Sequence, residues 1–254
     1  MEDVLKQPSD LLSRVRKNGL LLMLDFDGVL SPIVAHPELA RMSKRTRELL
    51  RLCALRGRVA VISGRALSDV AARVGLANIW YAGNHGAEWR MGKVRGREKH
   101  SRSVNEDLRG ARDAFTELAR HYPGAFVEDK ALTLSVHFRL LSVARVRSFK
   151  KDVHSVAKRF RQVLDVAEGG EFVFNVRSRT GHTKAFAASL ACRLSPARVV
   201  PVFIGDDTTD EDVFRTLARG VTIRVGKDRN SAARFFVRER EDVDTLLSLL
   251  AGAW

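Results

Sequence analysis

Hydrophobic residues along this chain follow two kinds of pattern. Short apolar runs at Leu20–Leu24, Val59–Ile62, Ile79–Ala82 and Val199–Ile204 predict strands buried on both faces, and Val221–Val225 is a further expected strand. Between them, apolar residues recur at helical spacing. Leu49, Leu50, Leu52, Cys53 and Leu55 mark a helix over 43–56, and further helices are predicted over 66–75, 183–193, 209–218 and 243–250. Gly57 and Gly75 end the first two. A short amphipathic helix is expected over 3–17. Strand alternating with helix is the order of a doubly wound, Rossmann-like parallel sheet.

The middle of the chain differs. A helix over 104–121 carries Leu108, Ala111, Phe115, Leu118 and Ala119 on one face, and a second is expected over 142–160. Strands are predicted at Ala125–Glu128, Leu132–Phe138 and Phe172–Val176. In the second of these, Leu132, Leu134, Val136 and Phe138 alternate with Thr133, Ser135 and His137, the pattern of a sheet with one covered face. The expected architecture is therefore an α/β core, residues 1–88 and 177–254, interrupted by an inserted α/β cap domain, residues 89–176.

Composition adds to this picture mainly through charge. Apolar residues make up 45% of 254, enough for a sizeable core. Lys and Arg total 44 against 30 Asp and Glu, a net charge of +14. The cations are spread along the chain and are densest over Arg90–Arg102 and Arg145–Arg161. The plainest reading is a solvated basic surface; the next is steering of an anionic substrate; nucleic-acid binding comes third. Cys53 and Cys192 sit among apolar neighbours on helices and read as core residues in a reducing compartment. No basic, apolar leader opens the sequence, and no run approaches the ~20 apolar residues of a membrane span. A cytoplasmic monomer with no membrane or nucleic-acid partner is expected.

Four predicted core strands end in polar clusters: Asp25-Phe26-Asp27-Gly28, Ser63-Gly64-Arg65, Asn84-His85 and Asp206-Asp207. Ligands of open parallel sheets bind outside the carboxyl ends of the strands, so these clusters should share one crevice. Asp25 and Asp27, two apart on extended chain, can face it together. With Asp206 and Asp207 nearby, three or four carboxylates would repel one another unless a cation neutralised them. An all-oxygen set suits Mg²⁺, and no Cys/His set has zinc spacing. A carboxylate can also act as a nucleophile towards phosphorus, which calls for positive charge around the phosphoryl group, and Arg65 and Lys184 are the candidates. Ser63 and backbone N–H groups of its loop, Gly64 included, could donate to phosphate oxygens. Taken singly, Asp-x-Asp is usually a surface turn and Asp206–Asp212 an acidic helix start. Their ordered co-occurrence at strand ends is what carries the reading.

Leu21–Leu30, Ser63-Gly64-Arg65, Lys184 and Gly205-Asp206-Asp207-x-x-Asp210 together resemble the four motifs of the haloacid dehalogenase-like phosphatases. Asp27–Ile33, Ala82–Glu88, Val127–Lys130 with His137-Phe138-Arg139, and Gly205–Phe214 resemble one branch, the trehalose-6-phosphate phosphatases. The resemblance spans about Leu20 to Leu250. It implies Asp25 as nucleophile and Mg²⁺ ligand. Asp27 would be the general acid and base and would ligate the metal through its backbone carbonyl. Asp206 would be a metal ligand, with Asp207 and Asp210 on metal-bound waters or the loop. Ser63 and Lys184 would hold the phosphate, and Arg65, His85, Glu128, Lys130 and Arg139 the sugar side. Val29 stands where many relatives have Thr, and Ala185 where many have Gly. Another sugar phosphate, such as sucrose 6-phosphate or mannosyl-3-phosphoglycerate, and a non-catalytic sensor remain alternatives, the last opposed by the intact Asp25/Asp27 pair.

Overall fold

The computed structural model describes residues 1–170 and 172–252. The chain divides into two compact units, one formed by Met1–Arg97 with His182 and the residues after it, the other by Glu98–Gly181. In chain order the first unit begins with β1 (Glu2–Asp3), α1 (Ser9–Asn18), β2 (Leu20–Leu24), α2 (Lys44–Arg56), β3 (Arg58–Ile62), α3 (Leu67–Val74), β4 (Trp80–Gly83), β5 (Glu88–Met91) and β6 (Val94–Arg97). The inserted unit holds α4 (Arg102–Arg120), β7 (Phe126–Asp129), β8 (Leu134–His137), α5 (Val143–Ala157), β9 (Leu164–Gly169) and β10 (Val173–Ser178). The first unit resumes with α6 (Lys184–Arg193), β11 (Val200–Gly205), α7 (Glu211–Thr216), β12 (Val221–Val225), β13 (Phe235–Val237) and α8 (Arg240–Ala251).

The core sheet runs β1-β13-β12-β11-β2-β3-β4-β5-β6, parallel from β1 through β4. Its strands are apolar on both faces because helices cover both. Leu20, Leu22 and Leu24 join a cluster with α1, α2, α3 and α8, whereas Leu21 and Met23 pack with Ala187, Ala188 and Ala191 of α6 and Phe214 of α7. This is the expected doubly wound core. The inserted unit has a four-stranded antiparallel sheet, β7-β8-β10-β9, with α4 and α5 packed on its apolar face through Phe115, Val136, Phe149 and Phe174.

Several boundaries differ from expectation. The core continues past residue 88 through an antiparallel hairpin, β5–β6, that extends the main sheet beyond β4. The unit boundaries consequently fall at 97/98 and 181/182. Residues 253 and 254 of the expected last segment lie outside the described residues. The helix expected over 3–17 starts only at Ser9, and Glu2–Asp3 instead add an edge strand to β13. Strands β9 and β13 have no counterpart among the expected elements, and 209–218 divides into a 3-10 turn, Thr208–Asp210, and α7.

One polar network ties the first and last parts of the core. Thr46 Oγ1 on α2 donates to Asp244 Oδ1 on α8 at 2.9 Å, and Arg240 pairs with Asp244 Oδ2 at 3.2 Å while donating to the Leu30 carbonyl at 3.0 Å. Asp244→Ala would take a charged acceptor from both the buried Thr46 hydroxyl and the Arg240 guanidinium. We expect it to destabilise the core by ~2–4 kcal/mol, read as a lower thermal midpoint. Glu48→Ala, which removes only an exposed pair with Arg51, should leave the midpoint unchanged.

Candidate active site

The carboxyl ends of β2, β3, β4 and β11 bring together the polar clusters of the first unit. β2 and β11 are parallel neighbours, so Asp25 and Asp206 emerge side by side, and the Asp25 N–H donates to the Ile204 carbonyl at 3.0 Å. Gly28 makes the sharp turn after β2 at φ 73°, where a Cβ would lie 1.9 Å from Asp206 Oδ2. Gly205 is similarly confined, its position for a Cβ lying 2.4 Å from Asp210 Cγ. Both glycines are required by close approach to carboxylates.

Lys184 is the first residue of α6 and is only 2% exposed. A cation at a helix N-terminus opposes the macrodipole, and a buried one is costlier still. Two carboxylates compensate. Lys184 Nζ donates to Asp25 Oδ2 at 2.5 Å and to Asp210 Oδ1 at 2.8 Å. The other Asp210 oxygen accepts from the N–H groups of Asp206 and Asp207, at 3.0 and 3.1 Å. Asp210 therefore positions both Lys184 and the loop that carries Asp206. Asp25 Oδ1 accepts from the Phe26 N–H at 2.6 Å.

Among the described residues, Asp25, Asp206 and Asp210 each offer an oxygen within 4.8 Å of the others, a set able to hold a metal ion. Asp206 Oδ1 is buried with no hydrogen-bond partner, an orphan acceptor of the sort a cation satisfies. Three carboxylates against one ammonium leave two negative charges if all ionise. Burial drives the Asp25 carboxyl up from 3.8 to about 7 against the pull of Lys184, with Asp210 and Asp27 raising it further. Burial also holds Asp206 well above its usual range, with Asp25 and Asp210 adding to it, and raises Asp210 despite Lys184. Burial works against the charge on Lys184, but Asp210 and Asp25 prevail and its ammonium is held more firmly than usual.

The carboxylates of Asp207 and Asp27 are engaged by neighbouring protein groups. The Asp207 carboxylate caps the 3-10 turn, accepting from the Thr208 N–H and, at 3.0 Å, its hydroxyl, in a capping box with Asp210. The Asp27 carboxylate is gripped by both prongs of Arg65, Nε to Oδ2 and Nη2 to Oδ1, each at 2.7 Å. Arg65, expected on the phosphate or sugar side, is thus committed to Asp27. It also donates to Asp69 at 2.9 Å and to the Pro37 carbonyl at 2.9 Å. Asp69 and its second partner Arg73 are not among the expected site residues; the only signal for them is the four-residue spacing of Arg65, Asp69 and Arg73 across α3.

Ser63, Gly64 and His85 occupy one interlocked pair of loops. The His85 N–H donates to the Ser63 carbonyl at 3.0 Å and the Asn84 N–H to that of Arg65 at 2.7 Å. The His85 ring lies against Gly64, 2.6 Å from where a Cβ would sit. Asn84 and His85 adopt φ of 48° and 56°, the left-handed region that side chains enter at functional or tightly held turns.

Glu128, Lys130 and Arg139 belong to the inserted unit. Glu128 and Ser135 are register partners on the sheet face opposite its apolar core. Glu128 contacts His137 Nε2 at 2.9 Å and Lys130 Nζ at 3.7 Å; Lys130 also donates to Ser135 at 2.7 Å, and Ser135 to Asn175 at 3.1 Å. The alternation over 132–138 thus separates an apolar face from a hydrogen-bonded one. Arg139 follows β8, with its guanidinium 5.4 Å from the Phe172 ring centroid.

A parallel sheet whose strand ends bring Asp25 and Asp206 to Lys184 at the start of α6, in a chain interrupted by an α/β insertion, is similar in fold to a solved HAD subclass IIB sugar phosphatase, with a TM-score of 0.59 at 14% identity, covering 92% of this chain and 100% of that one. The chain belongs to the trehalose-phosphatase family, whose model matches residues 23–241. It is 34% identical over 225 residues to the trehalose-phosphate phosphatase of Mycobacterium tuberculosis, covering 84% of this chain and 56% of that protein. It is 31% identical over 228 residues to probable trehalose-phosphate phosphatase 4 of Oryza sativa, covering 86% and 62%. The chain spans little more than half the length of these curated relatives. The C-terminal domain of C. albicans trehalose-6-phosphate phosphatase superposes with a TM-score of 0.83 at 21% identity, covering 99% of this chain and 98% of that one, a likeness of fold.

Lys184→Met should expose the electrostatic role of the ammonium. A carboxyl whose folded pKa is raised costs stability as pH climbs from its unfolded value, about 4, through its folded value. With Asp25 at about 7 even beside Lys184, removing the cation should matter little near pH 5 and much more near pH 8. Thermal midpoints in chelator at the two pH values measure this. An equal drop at both would show that Lys184 contributes packing alone.

Proposed function

We propose that this chain hydrolyses trehalose 6-phosphate to trehalose and inorganic phosphate through an acyl phosphate on Asp25, with Mg²⁺ at Asp25 and Asp206. The observation that carries the reading is the buried Asp25–Lys184–Asp210 cluster, with the orphan oxygen of Asp206 beside it, in a chain of the trehalose-phosphatase family. The curated relatives are named for this reaction, and the residues gathered at Asp25 support the same chemistry. Mg²⁺, when bound, would offset the surplus negative charge of the carboxylates and of the phosphate. Asp25 attacks phosphorus and the sugar oxygen leaves. Asp27 is suited to give that oxygen its proton and then to take one from the attacking water. To do so it must release one of its two bonds to Arg65, so Arg65 governs where the acid points. Lys184 holds the nucleophile's second oxygen, and the Ser63 hydroxyl and loop N–H groups are suited to the phosphate oxygens.

We assign recognition of sugar hydroxyls to the inserted unit. Glu128 can accept from hydroxyls and Lys130 donate to them. Lys130 is fixed by Ser135 and Glu128 by His137, so little side-chain freedom remains to be lost on binding. A site built on such partners rejects ligands that leave them unpaired.

Asp25→Asn should abolish phosphate release while keeping the fold, since an amide forms no acyl phosphate; near-wild-type turnover would sink the covalent route. Mg²⁺ should raise the thermal midpoint of the wild type, and more at pH 8 than at pH 5.5, where it must displace a proton from Asp25. Asp206→Asn should lose that Mg²⁺ response, and a response unchanged in the variant would move the metal elsewhere.

Glu128→Ala should lower kcat/KM for trehalose 6-phosphate by about 10- to 1,000-fold and that for p-nitrophenyl phosphate far less, because the aryl ester has no sugar hydroxyls. Equal losses on both substrates would make Glu128 structural. A wild-type preference for glucose 6-phosphate or sucrose 6-phosphate over trehalose 6-phosphate would overturn the substrate assignment.

A further inference from the structure

At the amino-terminal edge of the core sheet, opposite Asp25, the starts of β2, β3, β4 and β11 border a cleft of about 590 Å³. Arg16, Lys17, Arg56, Arg58 and Arg198 line it, and none of the described residues lining it is acidic. Elsewhere many surface arginines are neutralised: Arg14 by Asp10, Arg51 by Glu48, Arg102 by Glu106, Arg120 by Glu117. Among the described residues no carboxylate pairs with Lys17, Arg56, Arg58 or Arg198, and Arg58 instead lies over the Trp80 ring at 4.6 Å. These four cations share one concavity without counter-charge.

Cations here have an ordinary cause in the helix macrodipole. Helices α1, α2 and α6 end at this edge, and basic residues in a last turn complement the exposed carbonyls. The magnitudes do not balance. Three helix ends supply roughly −0.5 each, about −1.5 together, against the full positive charges of Lys17, Arg56, Arg58 and Arg198, which leaves roughly +2.5 in the cleft. A monoanion would not neutralise that. The concave shape also suits a compact ligand better than a duplex or a flat membrane.

We infer that this cleft binds a small molecule bearing two or more phosphoryl groups, at a site separate from Asp25. Free polyphosphate and a nucleoside polyphosphate share that chemistry. The arginines give planar forks to the phosphoryl oxygens, Lys17 gives a point charge, and the Arg58–Trp80 stack forms a wall against which a base, where one is attached, could lie.

The test is calorimetric titration of the full chain with tripolyphosphate in chelator at ~0.15 M salt, repeated with ATP to separate the two sources. The expected result is one-to-one binding that Lys17→Gln/Arg198→Gln weakens by about tenfold or more, with Arg56→Gln/Arg58→Gln as an independent pair. Arg102→Gln/Arg120→Gln, which removes the same charge from the exposed face of α4, should change affinity less than about twofold. Sugar-phosphate turnover should be unchanged in all three. Equal weakening by cleft and α4 variants would reduce the effect to the general field of the +14 chain and overturn the site. So would tripolyphosphate binding that is insensitive to the cleft variants. Tighter binding to mixed-sequence single-stranded RNA of about 20 nucleotides than to tripolyphosphate, lost in the same variants, would replace the small ligand with a nucleic acid.

Discussion

The active-site end of this core is organised around one buried ammonium. Lys184 opens α6 against the helix dipole, without solvent, and remains charged because Asp25 and Asp210 accept from it. Each partner then fixes something else. Asp210 collects the backbone N–H groups of Asp206 and Asp207 and so sets the loop after β11. Asp25 is set at the end of β2 by that strand's parallel pairing with β11. The adjacency of two strands and the start of one helix thus assembles a cluster whose members lie 159 and 26 residues apart in sequence. One ammonium cannot balance three carboxylates in a buried place, so burial and mutual repulsion together raise Asp25 and Asp206. In the proposed reaction Mg²⁺ would supply the further positive charge.

The core is readable in the sequence because its strands are covered on both faces. An unbroken apolar run such as Leu20–Leu24, closing on a polar turn, is hard to place anywhere but in the middle of a sheet. The elements that escape are those where this logic fails. The β5–β6 hairpin, Glu88–Met91 and Val94–Arg97, carries charge at half or more of its positions, and β13 is only Phe235–Val237 between charged neighbours. Edge strands need no continuous apolar run, because one side or one face meets water. The polar hairpin also hides the first domain boundary, which lies at 97/98 and not at 88/89.

Side-chain assignments divide in the same way. Asp25, Asp206 and Lys184 are legible because position at a strand or helix terminus almost determines where they point. Arg65 is not, because the same rule puts it in the crevice but says nothing of which charge it meets there. Its bidentate grip on Asp27, 38 residues away, depends on two loops approaching each other. Asp207 reads as a residue of metal-bound water or of the loop, and its capping box with Asp210 is a local motif that orders that loop. In the inserted unit the alternation over 132–138 distinguishes the two faces correctly, but not the use of the polar one. That face carries a polar chain from His137 and Glu128 through Lys130 and Ser135 to Asn175, hydrogen-bonded throughout except for the Glu128–Lys130 ion pair.

The two ends of the core sheet carry opposite charge, and the distance between them decides what the basic excess can do. Strand β2 has five residues, so its ends lie roughly 17 Å apart at ~3.3 Å per residue. That exceeds the screening length of about 8–10 Å at physiological salt. The cations around the amino-terminal cleft therefore contribute little to drawing a phosphate towards Asp25, and substrate steering does not account for them. Within the crevice the only buried cations are Lys184, committed to Asp25 and Asp210, and Arg65, committed to Asp27 and Asp69, among the described residues. Neither can meet an incoming dianion without giving up a carboxylate. In the proposed reaction charge balance at Asp25 is thus a local matter for Mg²⁺, and the concentrated charge at the opposite edge needs a reason of its own.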